Sequence, residues 1–221
     1  MDRRNASAKD NGKVPRVPEE GNDVRILVIA SWYPRSQEDH RGQFFRVSAE
    51  ALVRSGNAVW VLAPEATIIT RKLPPCERAR HGWCDHGHEN GARVFRSIRK
   101  RVIPGKLSNN WAFFFEWLSV RKLADSFREE FGKFDVILAQ SAYWAGYSAM
   151  RLSRRLAIPY IVIEHRSNFI TGKLPVRARK CLQDIFNRSN GVIAVSRSLL
   201  VALKERFKIR QEKSDVIPNM V

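Results

Sequence analysis

Arg25-Ile-Leu-Val-Ile-Ala-Ser-Trp-Tyr-Pro34, continuing through His40-Arg-Gly-Gln43, is the stretch on which the fold turns. A continuous apolar run from Val24 to Ala30 gives way to a polar, turn-prone loop holding Pro34 and Gly42. A strand apolar at nearly every position is one covered on both faces, as in a parallel sheet. Phe44, Phe45, Val47, Ala51 and Leu52 then fall near helical spacing, predicting a helix from Gln43 to Arg54 that Gly56 stops as a left-handed C-cap. Ligands of α/β proteins bind where such strands end.

Outward from this unit the pattern repeats. Ala58–Ala63 reads as a second strand closed by Pro64, and residues 65–91 as a long solvated insertion without helical pattern. Arg93–Ile98, Phe134–Ala139, Ile158–Ile163, Gly191–Val195 and a short Ser214–Asn219 segment read as further strands. Helices are expected after Gln140-Ser141, over Val176–Arg188, and from Ser196 through Phe207. Strand and helix alternate throughout, which predicts an α/β fold with a Rossmann-like, doubly wound parallel sheet. Residues 1–22 are expected to be a disordered polar tail, 23–217 one domain, and 218–221 the start of a linker.

Composition narrows the function classes. At 221 residues with 44% hydrophobic and 28% charged residues, the chain can bury a sizeable core. No apolar run approaches the roughly 18 residues of a membrane span. Three cysteines are too few for a disulfide scaffold, so a cytoplasmic setting is expected. The net charge of +17 favours anionic partners, and its dispersal over many short basic clusters fits a solvated surface equally well. No zinc-finger or RNA-binding signature accompanies it, so nucleic acid is not an expected partner.

Two stretches leave alternatives open. Cys84-Asp-His86-Gly-His88 offers a thiolate and two imidazoles, but its spacing matches no familiar zinc pattern, and no metal is expected. Asn110-Trp-Ala-Phe-Phe-Phe-Glu-Trp-Leu118 leads a helix either packed against the sheet or resting in a membrane interface.

Taken in order, Ile-Leu-Val-Ile-Ala-Ser-Trp-Tyr-Pro34, Arg41-Gly-Gln-Phe-Phe-Arg46, Glu50-Ala-Leu-Val-Arg-Ser-Gly56, Pro159-Tyr-Ile-Val-Ile-Glu-His165, Gly191-Val-Ile-Ala-Val-Ser196 and Val216-Ile-Pro-Asn219 form a series. It resembles the N-terminal, acceptor-binding domain of retaining GT-B glycosyltransferases of the family 4-like group. The resemblance implies catalysis in a cleft between two Rossmann-like halves. A nucleotide-sugar donor is held by the C-terminal half and a glycan or lipid-linked acceptor by the N-terminal half. No second set of strands follows here, so the chain is expected to be inactive by itself.

Site residues follow where they match. His165, at a strand end, is the expected catalytic histidine, contacting the transferred sugar or positioning the acceptor, with Glu164 beside it to bias its tautomer. Arg41-Gly42-Gln43 occupies the family's usually glycine-rich loop, with Gln43 in place of a small residue. Gln140 and Ser196 sit at other strand ends, and Ser196 fits an N-cap as well as a ligand. The other function class compatible with the residues is a non-catalytic basic module docking on an anionic membrane or polyanion. A peripheral enzyme at the inner membrane leaflet would reconcile the two.

Overall fold

The computed structural model describes residues 24–34, 38–40, 42–69, 82–102, 132–172, 174 and 178–219, with scattered helical positions between 117 and 129. Its strands are β1 (Arg25–Ala30), β2 (Ala58–Ile69), β3 (Gly82–Glu89), β4 (Ala92–Val102), β5 (Val136–Gln140), β6 (Tyr160–Glu164), β7 (Gly191–Ala194) and β8 (Ser214–Val216). They form an eight-stranded sheet in the order β3-β4-β2-β1-β5-β6-β7-β8. Every neighbouring pair is parallel except β3 and β4. The α-helices named from the described residues are α1 (Gln43–Arg54), α2 (Tyr147–Leu156), the short α3 (Asn168–Thr171), α4 (Arg179–Arg188) and α5 (Arg197–Phe207). The chain runs outward from β1 to β2 on one side and returns to β5 on the other. The β1/β5 boundary is thus the switch point outside whose strand ends α/β sheets bind ligands.

The apolar run of β1 is divided between two layers. Leu27 and Ile29 enter a core cluster with Trp60, Leu62, Ile137, Leu152 and Leu182. Ile26, Val28 and Ala30 face the opposite layer, with Val59, Val61, Phe45 and Ala49 of α1. Each fully buried aliphatic side chain contributes about 1.5–3 kcal/mol, which is why β1 carries no polar residue from Ile26 to Ala30. α1 spans Gln43–Arg54, and Gly56 takes φ 84° while its N–H reaches Val53 O at 2.9 Å.

The reading of residues 65–91 as a loop is corrected at both ends. β2 does not close at Pro64 but continues to Ile69, paired with β4 throughout. β1 accompanies β2 only as far as Ile29↔Leu62, and among the described residues no strand flanks β2 on that side further on, where a strand proline is tolerated. Gly82–Glu89 is a strand as well, joined to β4 by the turn Asn90-Gly91, with φ of 49° and 89°. Two successive residues at positive φ make the tight turn that suits a hairpin's twist. A Cβ on Gly91 would lie 2.6 Å from Val53 Cγ1, so the turn is also packed onto α1. The side chains of Cys84 and His86, on which the metal question rests, lie outside the described residues.

Described residues of the aromatic segment are helical, and Trp117, Val120 and Ala124 belong to the core. Trp117 is 6% exposed and carries the Arg151 guanidinium 5.4 Å from its ring centroid, so this ring packs inward. Trp111 and Phe113–Phe115 lie outside the described residues. No described helix is long and apolar enough to cross a membrane.

Candidate functional site

The C-terminal ends of β1, β5 and β6 are stitched together first by backbone. Ser31 N–H donates to Gln140 O at 3.3 Å, and Ser141 N–H to Ile163 O at 2.7 Å. A wide turn, Ala142–Gly146, follows β5 and is closed by Gly146 N–H to Ser141 O at 2.9 Å. It opens at Ser141, whose φ of 88° is uncommon for a residue with a side chain. Ala145 N–H donates to Ser31 Oγ at 3.2 Å, fixing this turn to the end of β1.

Glu164 completes the frame. Its carboxylate is fully buried and accepts from three backbone N–H groups, those of Ala142 at 2.7 Å and of His165 and Arg166 at 2.9 Å each. Burial pushes its pKa up, while those donors and the Arg166 charge pull the other way. The expectation that Glu164 biases the His165 tautomer is corrected: it grips the backbone, and the ring has other partners.

Those partners are two amides. His165 Nε2 lies 2.8 Å from Gln140 Oε1, and Nδ1 lies 3.0 Å from Asn219 Oδ1. Phe44 and Phe45 cover the ring, with centroids 4.8 Å and 4.9 Å from it. Burial lowers the His165 pKa to about 4, against a smaller upward pull from the Asn219 hydrogen bond. The imidazole is therefore neutral at pH 7 and carries a single N–H. One N–H cannot serve two amide oxygens, so one amide must turn its –NH2 to the ring, an orientation assigned from the hydrogen-bond network. Gln140 does this without loss. Its amide nitrogen faces Ser48 Oγ at 3.3 Å, and a hydroxyl both donates and accepts. Nδ1–H then donates to Asn219, and Nε2 accepts from Gln140.

The remaining expected residues lie at varying removes. Gly42 takes φ 74° at the start of α1, and a Cβ there would come within 3.2 Å of Phe45 Cδ2 and of Trp32 C and O. Glycine fits there because backbone passes that close. The helix start is partly satisfied internally, with Gln43 N–H to His40 O at 3.4 Å and Phe45 N–H to Gly42 O at 2.9 Å. Gln43 is exposed, its Oε1 3.4 Å from His40 Nδ1. Arg41 lies outside the described residues. Ser196 is the N-cap of α5, its Oγ accepting from Leu199 N–H at 3.2 Å.

The loop after β1 has its own anchor. Arg96, 5% exposed, donates to Pro34 O through Nε at 3.2 Å and Nη2 at 2.7 Å, and pairs with both carboxylate oxygens of Glu89 at 2.5 Å and 2.9 Å. The β3–β4 hairpin therefore holds the Pro34 end of the site loop. Asn219 and Arg96 are additions to the expected site residues. Asn219 belongs to the Val216-Ile-Pro-Asn landmark, where the sequence reads only as linker.

The mostly parallel sheet thus has its switch point at β1/β5, with a partly buried histidine at that edge. The model of Glycosyltransferase Family 4 matches residues 42–221, and the chain belongs to that family. A glycosyltransferase from Rickettsia africae superposes with TM-score 0.53 at 14% identity, over 90% of this chain and 43% of that one. Anabaena HepE, in complex with UDP-glucose, gives 0.54 at 14% identity, over 89% and 44%. The catalytic domain of Arabidopsis thaliana starch synthase IV, bound to ADP and acarbose, gives 0.57 at 12% identity, over 90% and 52%. The chain thus spans about half the length of these structures, and at such identities the likeness is one of fold. No curated protein matches the chain significantly.

Proposed function

We propose that this glycosyltransferase domain binds the acceptor, a glycan or lipid-linked saccharide, for retaining transfer of a sugar from a nucleotide-sugar donor. The observation that carries the reading is His165. It is a neutral imidazole at the switch-point edge, held by Gln140 and Asn219 and rimmed by Phe44 and Phe45. A neutral ring in a low-dielectric rim can exchange its Gln140 or Asn219 hydrogen bond for one with a sugar hydroxyl without the cost of burying a charge. Glu164 and the Ser31–Ala145 bond keep the strand ends rigid beneath it. In this reading the donor diphosphate is held mainly by a second, C-terminal wall, and no metal ion is needed. Arg41, Gly42 and Gln43 would approach the donor from this side, and Ser196 would border the cleft. The proposed setting is cytoplasmic, with the +17 charge drawing the domain to an anionic membrane surface that presents lipid-linked acceptors.

NMR titration of the 221-residue chain tests the reading. Oligosaccharides should shift the His165 imidazole resonances at lower concentration than UDP-glucose does, and H165A should weaken saccharide binding. Binding of UDP-glucose in preference to every saccharide would overturn the assignment of this half to the acceptor.

A further inference from the structure

Trp32 is the large aromatic residue that the fold leaves most open at the ligand edge, among the described residues. It follows β1 directly, is 45% exposed, and its ring lies parallel to Phe45, with an interplanar angle of 4° and centroids 6.3 Å apart. Phe45 in turn touches His165 edge-on at 4.9 Å, so Trp32 stands two ring contacts from the histidine. Arg166, the residue after His165, places its guanidinium carbon 4.4 Å from the Trp32 centroid and 5.2 Å from that of Tyr143. The cation–π contact and the parallel ring limit the rotamers of the indole, and a ligand stacks on the part of the ring that they leave exposed. Its mounting is rigid as well. Trp32 C and O are the atoms that come within 3.2 Å of a Cβ built on Gly42, and the loop is pinned two residues later by Arg96 at Pro34 O.

Exposure of a rigid indole at a strand-end cleft has a chemical meaning. A pyranose ring is amphipathic: its hydroxyls point around its edge, and at least one face presents several C–H groups. That face lies flat on an aromatic ring, while the hydroxyl edge is left for groups such as His165. We propose that Trp32, held by Arg166, is the stacking platform for a pyranose unit of the acceptor next to the one that faces His165. Arg166 acts here as a positioning residue through the indole. The proposal rests on the acceptor-binding reading and deepens it: the acceptor is at least a disaccharide, recognised partly by the flat face of a ring.

The test uses the 221-residue chain with cellobiose, maltose and N,N′-diacetylchitobiose as probes, and sorbitol as a polyol without a ring. Saturation-transfer NMR reads contact with the indole, and the His165 resonance reads arrival at the site independently, a signal made tractable by the chain having five histidines. At least one disaccharide should bind and sorbitol should not. W32A should weaken that disaccharide about tenfold, equivalent to about 1.4 kcal/mol. W32F should retain most of the affinity, since the smaller ring still stacks. R166A should weaken the disaccharide without abolishing binding and should alter the Trp32 indole N–H shift in the free protein. Thermal melting of each variant reports folding, and W32F keeps the test decisive if W32A unfolds. If a disaccharide shifts His165 equally in wild type and W32A, the platform is refuted while the acceptor reading stands. If no disaccharide shifts His165 or contacts the indole, both fall together.

Discussion

Lowering the pH should weaken the fold through His165, by an amount the site geometry sets. Its folded-state pKa is lowered from 6.5 to about 4, with burial as the first cause. The sign follows from proton counting. Between the two values the unfolded chain holds a proton that the folded chain refuses, so stability rises with pH across this interval. His165 thus leaves stability undiminished above pH 6.5, reduces it progressively as the pH falls toward 4, and adds no further slope below. A tenfold difference in proton affinity between the two states corresponds to about 1.4 kcal/mol, so the interval removes about 3 kcal/mol. Urea unfolding midpoints should be compared from about pH 4 to about pH 7.5 in wild type and H165Q. Titrating carboxylates contribute to both proteins alike, so the difference in unfolding free energy isolates the imidazole. Wild type should lose about 3 kcal/mol more than H165Q across the interval, and the His165 ring resonances should titrate with a midpoint near 4. Parallel pH profiles, or a midpoint at 6.5, would refute a histidine kept neutral by partial burial beside Phe44 and Phe45.

Other consequences can be measured by denaturation alone. Glu89→Ala strands the Arg96 guanidinium in a site where it is 5% exposed and should cost about 3 kcal/mol, whereas R96M/E89L should cost less than E89A alone. Gly91→Ala adds a Cβ 2.6 Å from Val53 Cγ1 at a φ of 89° and should cost about 1–3 kcal/mol, part of it recovered by V53A in the same chain. Ser196→Ala removes the acceptor for Leu199 N–H and should cost about 1 kcal/mol, while S196G should cost only a few tenths.

Much of this architecture is legible in the sequence because it depends on local chemistry. The β1 run announces burial on two faces, Gly56 announces a left-handed helix end, and Ser196 announces a cap; each does what its type permits at that position. The rule that parallel strands end together places His165 and Gln140 at one edge, and they meet at 2.8 Å. The hairpin is not anticipated although Asn90-Gly91 is a strong two-residue turn signal, because Gly82–Glu89 carries no alternation of apolar and polar residues. A proline forbids a strand only where its missing N–H is needed, and among the described residues no strand flanks β2 on the β1 side at Pro64. Glu164 shows the reverse failure. A carboxylate beside a histidine invites a catalytic pairing, and only the fold reveals that three backbone N–H groups already hold it. Asn219 is invisible for another reason: its partner is 54 positions away, a separation that carries no local signal.

That long-range contact makes the histidine an indicator of position. Asn219 stands on the chain leaving β8, behind Pro218, and its amide is what Nδ1–H donates to. Shifting this segment by an ångström or two would break the bond, and the imidazole proton could then settle on either nitrogen. Nε2 would alternate between accepting from Gln140 and donating to it, and Gln140 would follow by turning its amide against Ser48. The tautomer of this ring therefore responds to where the segment leaving β8 lies, and the nitrogen NMR shifts of one side chain report it.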